Sequence, residues 1–315
     1  MTALIDLLAS SPAFFVSATL VIGLLIGSFL NVVIYRVPLI LERQWREQCQ
    51  EMAASDSNNS ASAAASGPEP GCAKQTDAPF NLVVPRSACP ACKAPITALQ
   101  NIPVVSYVFL KGRCANCGVR ISPRYPAIEA LTGLLSAAVA WKFGFGSSTL
   151  AALLLTWFLI ALTFIDVDHQ LLPDNLTLPL LWLGLLLSLW APLGGAAPVP
   201  AAPHSAIVGA ITGYLSLWSV YHLFRLLTGK EGMGYGDFKL FAALGAWLGV
   251  KMLLPVILIA AAVGAVVGIA ILASRGQKRS TPIAFGPFLA TAGWLMLMFG
   301  QELVARYEDL FFIAR

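Results

Sequence analysis

Long uncharged apolar runs recur along almost the whole chain, and they limit its fold more than any other feature. A helix needs roughly 20 apolar residues to span a bilayer, and backbone in hydrocarbon must satisfy its own hydrogen bonds. Eight runs qualify as spans, at 13–35, 126–142, 148–165, 175–191, 204–227, 237–250, 253–274 and 283–302. Of 315 residues, 57% are hydrophobic and only 11% charged, against roughly 25% charged in a soluble domain. Mean hydropathy is +0.75. The sequence therefore predicts an all-α polytopic membrane protein with about eight transmembrane helices. The first run lacks a basic leader and a small-residue cleavage site, so it is expected to stay as a permanent helix. The run 237–250 is short and begins beside two glycines and an acid. That fits a helix starting partway into the membrane, where irregular backbone must line a wet cavity or be buried in protein.

Lysine and arginine placement sets the orientation. Sixteen of the twenty basic residues lie in or beside 36–125, 166–174, 228–236 and 275–282, all on one side of an eight-span chain. Only Lys142, Lys251, Arg306 and Arg315 lie on the other. The long loop is thus expected in the cytoplasm and both termini outside. The net charge of +4 follows from this topology and gives no reason to invoke nucleic acid.

The long loop has two parts. Residues 52–71 are rich in Ala, Ser, Asn, Gly and Pro, the composition of a flexible linker. From Arg86 the loop changes, with Cys89-Pro90-Ala91-Cys92 followed by Cys114-Ala115-Asn116-Cys117-Gly118. Two C-x2-C pairs about twenty residues apart have the spacing of a zinc ribbon. Cys89, Cys92, Cys114 and Cys117 would close a four-thiolate shell around one structural zinc, with Gly118 suited to the turn after the second pair. The alternatives are disulfides, disfavoured in a reducing compartment, or idle thiols. Cys49 and Cys72 match no ligand spacing and read as free. The expected parts are a first transmembrane helix at 1–37 and a linker at 38–85. A small cytoplasmic domain at 86–124, binding zinc through the four cysteines, and a helical membrane domain at 125–315 follow.

A closed thiolate site performs no hydrolysis, so chemistry must lie elsewhere. Ionisable groups near hydrocarbon usually mark function, and two places qualify. Asp166 directly follows one apolar run, and Asp237 heads another within Gly234-Tyr235-Gly236-Asp237. Each acid alone could simply cap a helix or solvate a loop. Together, from different helices, they could share one proton and activate water. Gly234 and Gly236 allow a tight turn and close approach of a substrate backbone. Lys239 either steadies the local negative charge or snorkels to the interface, the second being preferred. Asp174, after Pro173, reads as a helix N-cap, and Asp168 and His169 as solvated loop residues. His204 and His222 lie in or near apolar spans and read as structural.

Four blocks, in order, resemble the bifunctional type IV prepilin peptidases, or leader peptidase/N-methyltransferases. They are Gly27-Ser28-Phe29-Leu30-Asn31-Val32-Val33-Ile34-Tyr35-Arg36-Val37-Pro38, the paired C-x2-C units, 166–174, and 234–240. The resemblance implies a GxGD-type intramembrane aspartyl protease with Asp166 and Asp237 as its catalytic acids. It implies prepilin and pseudopilin substrates of type IV pilus biogenesis and type II secretion. Their basic leaders end in Gly before a Phe or similar residue. A basic leader would be attracted to an acidic segment such as 166–174. It also implies N-methylation of the new N-terminus with S-adenosylmethionine, whose site is not assigned to residues, and a multi-pass location in the bacterial inner membrane with the active site facing the cytoplasm. Two other readings stand beside it: a peptidase without methylation, and a transporter or assembly scaffold. A transporter should show two similar hydropathic halves, and no such repeat is seen.

Overall fold

A computed structural model of the chain describes residues 2–59, 80–97, 99–190, 199–230, 232–275 and 284–313. Its regular elements are all helical, and among the described residues β-structure is limited to two isolated bridges. Helix α1 (Thr2–Ser10) leads into α2 (Pro12–Asn59), and a five-residue helix α3 (Val105–Phe109) lies after the first cysteine pair. Seven apolar helices follow: α4 (Arg124–Phe143), α5 (Ser147–His169), α6 (Asp174–Ser188), α7 (Pro203–Thr228), α8 (Tyr235–Leu248), α9 (Val250–Arg275) and α10 (Gly286–Ile313).

Each of the eight predicted spans thus falls on a helix. Five helices, α2, α5, α7, α9 and α10, are long and apolar enough to cross a membrane, and α6 is a shorter apolar helix. Helix α8 has 14 residues, about 21 Å at 1.5 Å per residue, short of a core about 30 Å thick. It compensates by being enclosed: every residue from Leu240 to Leu248 is buried, as are Asp237 and Phe238. A helix apolar all round belongs inside a bundle, and α6, α7, α9 and α10 pack around this one.

Glycine makes the closest crossings. A Cβ on Gly209 or Gly245 would run into the other helix's backbone, so α7 and α8 touch main chain to main chain. On the other side of the molecule, Cβ atoms at Gly23 and Gly27 of α2 would lie 2.9 Å and 2.7 Å from the Cα atoms of Gly133 and Glu129 in α4. This is small-residue packing at four-residue spacing, the usual device for bringing helices together in lipid. Indole donors then pin neighbours: buried Trp247 Nε1 donates to the Leu180 carbonyl (2.8 Å), and partly buried Trp157 Nε1 to Ser136 Oγ (3.0 Å) and Trp294 Nε1 to Thr156 Oγ1 (3.2 Å).

Two apolar cores result, and α5 contributes to both. Leu155, Leu159 and Leu162 join the larger core around α8. Ile160, Ala161 and Ile165 join a smaller one with Leu30, Val33, Ile34 and Val37 of α2 and Ile128 of α4.

The structure departs from expectation beyond Val37. Helix α2 continues through Asn59, into the segment expected to be a linker. Residues 41–52 are rich in Glu, Gln and Arg, strong helix formers, with Glu42 and Arg46 paired at i,i+4 (4.0 Å). Residues 60–79 of the expected linker, Cys72 included, lie outside the described residues.

Candidate active site and metal centre

The two cysteine pairs adopt one backbone pattern twice. In the first, Lys93 N–H donates to the Cys89 carbonyl (3.0 Å) and Cys89 N–H to the Ala94 carbonyl (3.0 Å). In the second, Gly118 N–H donates to the Cys114 carbonyl (2.9 Å) and Cys114 N–H to the Val119 carbonyl (2.8 Å). A bridge closes each turn, Ala88 with Pro95 and Arg113 with Arg120. The residue after each second cysteine has positive φ, 70° at Gly118 as anticipated and 58° at Lys93.

These turns bring the four Sγ atoms within 4.8 Å of one another, with Cys89 and Cys117 3.8 Å apart. Metal–sulfur bonds of about 2.3 Å in a tetrahedron require sulfurs about 3.8 Å apart, so the four thiols fit a single ion. The Asn116 amide donates to Cys92 Sγ (3.5 Å), and chiefly through that bond the thiol is lowered to about 6, toward the thiolate a metal needs. The group could hold a metal ion. Cys49 is free and exposed.

The module is tied to the helices at two points. Arg36 on α2 is buried and donates to the carbonyls of Asn81 (2.9 Å) and Pro85 (2.5 Å). Glu129 on α4 accepts from the Val104 N–H (2.8 Å).

Asp166 and Asp237 stand on α5 and α8, are 5% and 7% exposed, and lie within electrostatic reach of each other. Among the residues whose side chains are described, these are the buried carboxylates. Each is held by a glycine amide at the head of a helix: Asp166 by Gly286, the first residue of α10, and Asp237 by Gly234, just before α8. Leu172, from the connection after α5, fills the space between the blocks. A Cβ on Gly236 would lie 2.6 Å from Leu172 Cβ, and one on Gly286 3.1 Å from its Cδ1. The glycine beside Asp237 therefore admits Leu172, and Gly234 bonds the acid directly.

Two expectations are corrected. Helix α5 runs to His169, so Asp168 is helical and is bound by the Arg124 guanidinium through both carboxylate oxygens. A basic leader would have to compete with Arg124 for it. Asp174 is the first residue of α6 and makes no capping bond. Lys239 Nζ reaches Asp174 Oδ1 (2.6 Å) and Oδ2 (2.7 Å). His222 stacks on Trp218 and Tyr221, a structural role. Gly286 and the pairing of Arg124 with Asp168 escaped the sequence reading, because only tertiary packing brings these residues to the acidic segment. Leu172 lies within the 166–174 block but is given no role there by the sequence.

With the geometry established, comparison defines the class. Residues 21–143 match the bacterial peptidase A24 N-terminal domain, and 153–269 match the type IV leader peptidase family. The chain belongs to the type IV leader peptidase family. It is similar to the prepilin leader peptidase/N-methyltransferase of Aeromonas salmonicida strain A449, 52% identical over 98% of both chains. It is also similar to the protein of that name in Pseudomonas aeruginosa, 49% identical over 96% of this chain and 97% of the relative. The Neisseria gonorrhoeae counterpart is 47% identical over 92% of each. No solved structure matches the chain. The chain is accordingly an enzyme, a peptidase with methyltransferase activity.

Proposed function

We propose that this enzyme removes the basic leader from type IV prepilins and type II secretion pseudopilins, with Asp166 and Asp237 as its acids. The observation carrying this reading is the pair of buried carboxylates on separate helices, Asp166 in the last turn of α5 and Asp237 in the first turn of α8. Two close carboxylates cannot both ionise cheaply, so the pair keeps one proton. The ionised member takes a proton from water, whose oxygen attacks the peptide carbonyl after the leader's glycine. The protonated member donates to the carbonyl oxygen. Collapse of the tetrahedral intermediate breaks the C–N bond and delivers a proton to the leaving amine.

Placement of basic residues supports a cytoplasmic active site in an inner membrane crossed by about eight helices, α4, α6 and α8 included. The leader then stays in the cytoplasm while the pilin's apolar helix lies in the bilayer. Zinc is the ion proposed for Cys89, Cys92, Cys114 and Cys117, holding a domain at 86–124 in shape. S-adenosylmethionine supplies the methyl group for the new N-terminal amine, usually of Phe.

The test is the intact mass of a prepilin co-expressed with the wild-type chain, Asp166→Asn or Asp237→Asn. Wild type should remove the leader and add one methyl group, and each variant should leave the leader on while remaining inserted. Cleavage by either variant would sink the dyad. Leader loss without a methyl group would leave a peptidase alone.

A further inference from the structure

We propose that Gly286, at the head of α10, is a positioning residue for the peptidase acid Asp166. The inference rests on the reading of Asp166 as one of the two acids. Two independent features of the geometry meet at this glycine. Its amide bonds the Asp166 carboxylate, and its missing side chain leaves the room that the carboxylate fills. A Cβ at this position would lie 2.5 Å from Asp166 Oδ2 and 3.2 Å from Cγ. Contacts below 3.0 Å are not sustained by real Cβ atoms, so any side chain here displaces the acid.

The arrangement parallels the other acid. Gly234 opens α8 and bonds Asp237 as Gly286 opens α10 and bonds Asp166. Leu172 links the two, because it packs against Gly236 on one side and Gly286 on the other. Helix α10 therefore belongs to the reaction centre although it carries no acid to it. Pro287 follows directly and supplies the fixed φ favoured in the first turn.

The experiment is a double-mutant cycle in the full-length protein: wild type, Gly286→Ala, Asp166→Ala and the double variant. Thermal melting is read alongside prepilin cleavage. Gly286→Ala should lower Tm in the wild-type background and leave it nearly unchanged where the Asp166 side chain is gone. In cleavage, kcat should fall at least about tenfold with KM within about twofold, since a misplaced group costs rate more than binding. An equal loss of Tm in both backgrounds, or an unaltered kcat, overturns the proposal. If Gly286→Ala alone does not fold, recovery of folded protein in the double variant supports the contact, and no recovery overturns it. Cleavage by Asp166→Asn would instead reject the dyad, and the melting cycle would still decide whether Gly286 holds Asp166.

Discussion

Lys239 and Asp174 join the two acid-bearing segments, with the ammonium 2.6 Å and 2.7 Å from the carboxylate oxygens. They lie 65 residues apart in sequence, yet each is close to one of the buried acids: Lys239 is two residues beyond Asp237, and Asp174 opens the helix after Leu172. The pair is partly exposed, so it contributes only about 0.2–1 kcal/mol to stability. Its larger effect is on geometry.

Lys239→Met should therefore leave Tm within a few degrees of wild type while lowering kcat/KM for prepilin cleavage several-fold. The charge-swapped protein, Lys239→Asp with Asp174→Lys, should recover part of that loss. Cleavage kinetics at low and high salt check this, with the wild type less salt-sensitive than the swap. Equal activity of Lys239→Met and wild type would reduce the pair to a surface contact.

The cysteine cluster should hold one metal ion per chain. Cys89→Ser or Cys114→Ser should release it, as measured by elemental analysis of purified protein, and should expose 86–124 to protease. Methylation is expected to fall more than cleavage. A metal content unchanged by both substitutions would place the ion elsewhere.

Lys93 and Gly118 occupy equivalent turns, but only one of them is a glycine. A non-glycine residue in the left-handed region costs about 1–2 kcal/mol, offset in part by the lower freedom of its unfolded chain. Lys93→Gly should therefore stabilise the module by about 0.5–1 kcal/mol. A higher chelator concentration at half-release of the metal would register it. Gly118→Lys should have the opposite effect.

The crossing of α7 and α8 leaves no space for a methyl group. Gly245→Ala forces main chains apart, and overpacking of this kind costs about 1–3 kcal/mol or more. A fall of several degrees in Tm is expected, together with loss of cleavage, since α8 carries Asp237. Gly146→Ala is the control: its backbone is extended at φ 171°, and nothing lies within 4 Å of its added Cβ. It should melt with wild type.

What the sequence displayed was whatever it encoded locally. The apolar runs marked α4 to α10 because hydrocarbon leaves a helix few alternatives. The two C-x2-C units announced a four-sulfur site because spacing alone fixes how a turn aims its thiols. Asp166 and Asp237 stood out because charge at the end of an apolar run is rare. The extension of α2 to Asn59 was hidden, since its residues are helix formers without an apolar stripe. Lys93 gave no sign of positive φ, because lysine is not a turn residue and its conformation is imposed by the ladder around Cys89. Partners distant in sequence, such as Lys239 with Asp174 and Arg124 with Asp168, could not be matched from charge alone. Gly286 was least legible of all, because its contribution is an amide and an empty space.

The sharing of α5 between two apolar cores makes the dyad mechanically lopsided. Asp166 stands on a party wall, braced on one face by α2 and α4 and on the other by the bundle around α8. Asp237 stands on a column enclosed by one room only. Settling of the α2–α4 side would tilt the wall and leave the column upright. The gap between the acids is then a gauge of how α2 and α4 sit against the rest. Substitutions at Leu30 or Ile34, far from either buried acid in sequence, should be felt at Asp166 before they are felt at Asp237.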